Sequence, residues 1–116
     1  MKDSIIKDKS KNFALRIIKL YQYLTLTAER KEYIISKQVL RSGTSIGANV
    51  KEALRGQSRP DFRAKMSIAL KEASETEYWL ELLHESGYID DNSFASIINE
   101  NVEIIKILTR IVKNSD

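Results

Sequence analysis

Hydrophobic positions recur along the chain with helical period in four long series. Phe13, Ile17, Leu20 and Leu24, preceded by Ile6, are spaced 4, 3 and 4 apart, which is one face of a helix. Lys7, Lys9, Lys11, Arg16 and Lys19 fall largely off that face, so the pattern predicts a helix over about 4–25. Thr25 or Thr27 offers a cap for the next helix, with Glu29 in its first turn. Ile35, Val39, Ile46, Val50, Ala53 and Leu54 then predict a helix over about 28–56, ending with Gly56 at C′. Ser58-Arg59-Pro60-Asp61 reads as a capping box with proline in the first turn. Behind it Phe62, Met66, Ala69, Ala73, Thr76, Leu80 and Leu83 form a third seam. Gly87 stops that helix, and Tyr88 supplies the apolar contact of a Schellman ending. Asp90 or Asp91 caps a fourth helix with the stripe Phe94, Ile98, Ile105, Leu108 and Val112, and with Ile97, Ile104 and Ile111 beside it. Four long helices with short links predict an all-α fold, an antiparallel up-down-up-down four-helix bundle forming one domain over 1–116. Ile68, Trp79 and Leu82 lie on a different side of the third helix from Phe62 and Ala69. A second apolar side predicts a further contact, most simply with another copy of the chain.

One stretch sits oddly in this pattern. Residues 41–56 read RSGTSIGANVKEALRG, rich in glycine, serine and short polar side chains. A phosphate loop would need glycines five apart followed by Lys-Ser/Thr, with a strand upstream; here Gly43 and Gly47 are four apart and no strand precedes them. A plain loop has no reason to keep the apolar phase through five turns. The remaining reading is a helix kept bare because another backbone packs against it. Each internal glycine costs about 1 kcal/mol relative to alanine, and the close approach returns dispersion contacts. Gln38, Ser42, Ser45, Asn49, Glu52 and Gly56 repeat at spacings 4, 3, 4, 3 and 4, a coiled-coil-like seam made of short polar groups. The third helix offers a matching row in Ile68, Glu72, Glu75 and Trp79. Carboxylates buried beside apolar neighbours need partners, which Ser and Asn side chains or Arg41 can supply. The seam therefore reads as a polar network at a helix–helix or subunit contact, or else as a partly buried, wet groove.

Composition narrows the chemistry. The chain has no cysteine and one histidine, His84, so thiolate metal sites and two-histidine motifs are excluded. Glu72/Glu75, Glu75/Glu77 and Glu81/Glu85 have helical spacing, but no Glu-x-x-His motif accompanies them as in di-metal bundles. His84 reads as a residue favoured by the dipole at the end of its helix. No metal, cofactor or catalytic constellation is expected, and the expectation is a protein that is not an enzyme. No apolar run is long enough to span a membrane, and the N-terminal MKDSIIKDKSKN is too charged for a signal peptide. A cytoplasmic protein is expected.

The run QVLRSGTSIGANVKEALRG resembles the signature of the four-helix-bundle family also called 23S rRNA intervening-sequence proteins. In that family this helix reads much like Q-I-x-R-S-x-x-S-I-x-A-N-I-x-E-G. Gln38, Arg41, Ser42, Ser45, Ile46, Ala48 and Asn49 match in place. Val39 and Val50 stand where isoleucine is usual, Glu52 holds the acidic position, and Ala53 replaces the glycine that follows it. DFRAKMSIALKEASETEYWLELLHESGYI is similar to the family's third helix, including Glu72, Glu75 and Trp79-Leu80. The resemblance covers almost the whole chain and implies a homopentamer of four-helix bundles. A related group, the accessory proteins of diversity-generating retroelements, forms similar pentameric barrels and associates with nucleic acid and a reverse transcriptase.

Charge then suggests a partner. The net charge of +3 hides sixteen Lys and Arg against six Asp and Glu over residues 1–71, and three against ten over 72–116. Lys37, Lys51 and Arg55 fall on the outward side of the second helix, and Arg59, Arg63 and Lys65 follow across the turn. Together they read as a positive ridge for RNA or DNA, repeated fivefold in a pentamer. Apart from Phe62, which belongs to the apolar seam of the third helix, no aromatic residues are interleaved with it, so weak sequence preference is expected; Tyr21, Tyr23 and Tyr33 read as bundle-edge residues. The competing reading is a ring scaffold that binds a protein partner, its basic residues meeting the acidic helices of a neighbouring subunit.

Overall fold

The computed structural model describes residues 2–29, 31–56 and 58–115. Its elements are α1 (Lys2–Gln22), a π-helical turn (Tyr23–Thr27), α2 (Ile35–Leu54), α3 (Arg59–Glu85) and α4 (Asp91–Lys113). They form a rod of 47 × 20 × 19 Å. Contacts pair Ile17 with Gly43 and Ser10 with Gly47, Ser42 with Thr76 and Glu52 with Lys65, Ala73 with Asn101 and Arg63 with Val112, and Arg16 with Glu100 and Lys9 with Glu103. Each neighbour pair thus counts in opposite directions, which is the expected bundle.

Helix ends follow local chemistry. The Ser58 hydroxyl accepts from Asp61 N–H at 3.2 Å, with Pro60 in the first turn of α3. At the far end Tyr88 N–H donates to the Leu83 carbonyl at 2.8 Å and Gly87 N–H to the His84 carbonyl at 3.0 Å. That is the Schellman pattern, and Gly87 takes its required positive φ of 87°. Of the two candidate caps for α4 it is Asp90 that accepts, from Ser93 N–H at 2.7 Å. The bonds from the Ser93 backbone and hydroxyl hold the Asp90 carboxyl below its ordinary value. Gly56 does follow α2 at C′, but without a left-handed φ.

The link between α1 and α2 departs from expectation. Helix two does not begin at 28 but at Ile35, and neither Thr25 nor Thr27 caps it. The run Leu24-Thr25-Leu26-Thr27 widens into a π turn, closed by Ala28 N–H on the Tyr23 carbonyl at 2.7 Å. Two threonines within four residues have modest helix propensity, and Ala28 is extended, with ψ 145°. Thr25 turns its hydroxyl back onto the Tyr21 carbonyl. The cap of α2 is Glu32, whose carboxylate accepts from the backbone N–H of Ile34, Ile35 and Ser36 at 3.0, 3.0 and 2.6 Å. Three of the unpaired donors at the helix start are met by one buried anion.

The core runs the length of the rod. Ile6, Phe13 and Ile17 of α1 meet Val39, Ile46 and Val50 of α2, Met66, Leu80 and Leu83 of α3 and Leu108 of α4. The stripe of α4 is rotated from the one expected. Ile97, Asn101, Ile104, Leu108 and Ile111 are buried, while Phe94, Ile98, Ile105 and Val112 are only partly covered. Asn101 explains the shift: its amide donates to the Ala73 carbonyl at 3.0 Å. A polar residue in the buried register hides that register from a hydrophobic count.

Gly43 and Gly47 face α1. A Cβ on Gly43 would lie 2.8 and 2.9 Å from the two γ carbons of Ile17, and one on Gly47 would lie 3.3 Å from the Ser10 carbonyl oxygen. Gly43→Ala therefore destabilises the fold by about 1–2 kcal/mol, although alanine is the better helix former. Gly47→Ala costs less, and urea denaturation of both variants measures the order.

Glu32 supplies a second prediction. Partial burial raises its pKa, but the bonds from Ile35, Ser36 and Ile34 outweigh this and hold it below the ordinary value. A depressed folded pKa contributes stability above the unfolded pKa and loses it as pH falls through the folded one. Glu32→Gln is thus expected to lower stability by about 1 kcal/mol at pH 7. Chemical denaturation as a function of pH should show that gap closing below about pH 4.

Candidate nucleic-acid interface and polar seam

Two groups of residues singled out by the sequence have different fates. The seam between α2 and α3 is assembled in part. Arg41 reaches across to both Glu72, at 3.2 Å, and Glu75. Trp79 donates its indole N–H to Glu75 at 3.2 Å. These carboxylates pull the Arg41 pKa further up, the Glu75 bond contributing most. Next to them in each helix, the fully buried Ser42 and Thr76 hydroxyls share a bond of 2.8 Å.

Ser45 and Asn49 are half-buried and stay on their own helix: the Ser45 hydroxyl donates to the Arg41 carbonyl and the Asn49 amide to the Ser45 carbonyl. Gln38 is exposed, so it is not part of a buried seam. Glu52 leaves the row as well and pairs with Lys65 at 3.0 Å. The seam is therefore shorter than the heptad spacing implied, because α2 and α3 bring only their central turns into polar register. Thr76, read from sequence as a core residue, is its missing hydroxyl partner.

The positive ridge is also reshaped. Lys51, Arg55, Arg59 and Arg63 are exposed around the α2–α3 turn. Lys65 is tied to Glu52, and Arg63 donates through Nε to the Val112 carbonyl at 3.3 Å. Lys37 does not join them. It lies fourteen residues before Lys51 on the same helix, roughly 21 Å away along the axis at 1.5 Å per residue. The ridge is a cluster at one end of the rod, and a shallow cleft of about 410 Å³ lined by Arg59, Pro60, Arg63, Ala64, Ser67 and Ser115 opens beside it.

Several charges of the basic first half are met inside the same chain. Lys9 pairs with Glu103, and Arg16 with Glu100 at 2.6 Å. His84 packs flat on Phe94, ring centroids 4.1 Å apart, with Nε2 at 2.7 Å from Asp91. It joins α3 to α4 beyond its position at a helix end. Tyr23 and Tyr33 are exposed, with Tyr23 on the wall of a cavity of about 380 Å³ beside Tyr88 and Ile89. Among the described residues no three His, Asp or Glu side chains come together as a metal site, and no helix is long and apolar enough to cross a membrane.

A four-helix bundle with an Arg–Glu–Glu–Trp seam on its second and third helices defines the class. The chain belongs to the 23S rRNA-intervening sequence protein family, whose model matches residues 2–110. It is also similar to a crystal structure of a protein of unknown function from the S23 ribosomal protein family of Bacteroides thetaiotaomicron VPI-5482. The two are 54% identical with a TM-score of 0.93, over 98% of this chain and 100% of that one. No curated protein matches the chain.

Removal of Arg41 tests the seam. It would leave Glu72, whose side chain is only 13% exposed, beside Glu75 without a countercharge. Because Arg41 is itself half-exposed, solvent moderates the loss. Arg41→Gln is expected to cost about 1–2 kcal/mol and to alter the emission of Trp79, the single tryptophan. Urea melts followed by that fluorescence check both.

Proposed function

We propose that the protein is a non-enzymatic, homo-oligomeric bundle of the cytoplasm that binds RNA or DNA through its phosphate backbone. The observation that carries this reading is the group Lys51, Arg55 and Arg59, exposed on one turn and without a carboxylate within ion-pair distance among the described residues. Cations left unpaired at one place attract a polyanion and release its counterions. Phe62, between Arg59 and Arg63, packs half-buried against the core, and the exposed aromatics Tyr23, Tyr33 and Tyr78 lie elsewhere, so base stacking adds little and sequence preference is weak. A pentamer is what the family resemblance implies. Exposed Ile68 and Tyr78 on α3, and Leu15 and Ile18 on α1, are apolar surface available for subunit contacts.

The second reading is a scaffold for a protein partner whose basic residues serve assembly. It is weakened where basic residues already meet acids in their own chain, as Lys9, Arg16, Arg41 and Lys65 do. Lys51, Arg55 and Arg59 are not so engaged, and they decide between the readings. Titration of random duplex DNA and single-stranded RNA against salt should show affinity falling steeply. Arg55→Glu/Arg59→Glu should reduce the slope of log K against log salt by about 2 and leave the sedimenting mass unchanged. No measurable binding at low salt would remove the nucleic-acid reading, and dissociation of the oligomer by the same variant would favour the scaffold.

A further inference from the structure

We infer that the nucleic-acid face is one entire end of the bundle, built from all four helices, and that the opposite end is an acidic pole turned away from the phosphates. This rests on the nucleic-acid reading above and extends it to residues that the α2 ridge does not include. Because neighbouring helices run in opposite directions, the start of α1, the end of α2, the start of α3 and the end of α4 lie together. Ser10 against Gly47, Lys65 against Glu52 and Arg63 against the Val112 carbonyl place them. This half comprises residues 5–12, 46–56, 58–71 and 102–115, and it carries twelve Lys and Arg against four Asp and Glu. The other half, residues 13–29, 31–45 and 72–101, carries five against ten. Two of the four acids at the basic end are occupied in the pairs Glu52–Lys65 and Glu103–Lys9. Lys51, Arg55, Arg59, Lys106, Arg110 and Lys113 form no ion pair among the described residues.

Helix dipoles do not account for this division. Cations at the ends of α2 and α4, such as Lys51, Arg110 and Lys113, suit those C-termini. Arg59, however, stands in the first turn of α3, where a dipole favours acids such as Asp61 in the same turn. Glu85 stands in its last turn beside His84, where a dipole favours bases. At Arg59 and Glu85 charge is thus sorted by position along the rod against the local field. The two ends of a 47 Å rod are several Debye lengths apart at about 0.1 M salt, so each acts with its own charge rather than the net +3. A polyanion meets the basic end and is repelled from the other.

Charge-matched variants at the two ends test this. Arg110→Glu/Lys113→Glu alters the basic end away from the α2–α3 turn, and Lys19→Glu/Lys37→Glu alters the acidic half by the same net charge. Fluorescence anisotropy with a random 20-base-pair DNA and a random 20-nucleotide RNA should show the first weakened about tenfold or more, with its salt slope reduced by about 2. The second should stay within about twofold of the wild type. Arg110→Gln/Lys113→Gln keeps helix propensity and should give an intermediate loss, while circular dichroism melts verify that each variant is folded. Equal weakening by both pairs, or none from the Arg110/Lys113 pair while Arg55→Glu/Arg59→Glu abolishes binding, overturns the pole and leaves the turn as the site. Absence of binding by the wild type overturns the pole together with the reading it rests on.

Discussion

Helix α1 lies against α2 so closely that Gly43 has no room for a side chain. Its missing Cβ would sit inside contact distance of a β-branched residue, Ile17, that is itself fully buried. Neither partner can yield cheaply: the glycine is mid-helix, and an isoleucine held in a packed core has few rotamers to retreat to. This contact fixes the spacing and register of the first helix pair. With α1 on one flank, α2 has to meet α3 through its other flank, and there Arg41, Ser42 and Thr76 make the contact polar. The odd composition of residues 41–56 thus comes from one helix packed on two sides, bare toward α1 and hydrogen-bonded toward α3.

Registers set by such contacts decide where charges end up. Along the chain, acid and base divide near residue 71; in space they divide across the middle of the rod. Arg16, Lys19, Lys37 and Arg41 belong to the basic stretch of sequence yet lie in the acidic half. Lys106, Arg110 and Lys113 belong to the acidic stretch yet lie in the basic half. A slip of one helix by a turn would move these residues by roughly 5 Å and blur the separation. Interior packing and surface electrostatics are therefore coupled through helix register.

The parts legible in the sequence were those with local causes. Ser58 with Asp61, Gly87 with Tyr88, and Asp90 each mark a helix end through bonds to residues a few positions away, and each is found there. The bare helix was legible because its apolar phase runs unbroken past two glycines. Features that depend on distant partners were not. Glu32 caps a helix from three residues before its start, behind a link that is extended at Ala28. The buried face of α4 turns on Asn101, whose partner is a carbonyl of another helix. Lys37 shares a helix with Lys51, and helical phase alone does not show that roughly four turns separate them. In the seam, the helical phase of Thr76 places it among apolar residues, and only Ser42 on the facing helix gives its hydroxyl a partner.

Concentrating like charge at one end of a small bundle opposes folding, because the repulsion is relieved when the chain opens. Placing Arg59 in a first turn and Glu85 in a last turn adds a cost through the dipole, which Asp61 and His84 in the same turns offset in part. The interior offsets both, with a continuous core from Ile6 to Ile111 and buried hydroxyl and amide bonds that leave only the Asn101 carbonyl oxygen unmet among the buried side-chain atoms described. A bundle shaped by stability alone would intersperse its charges and match them to its helix ends. That this one gathers bases at one end and acids at the other, at Arg59 and Glu85 against the dipole of α3, is the reason to read its surface as adapted to something outside the protomer.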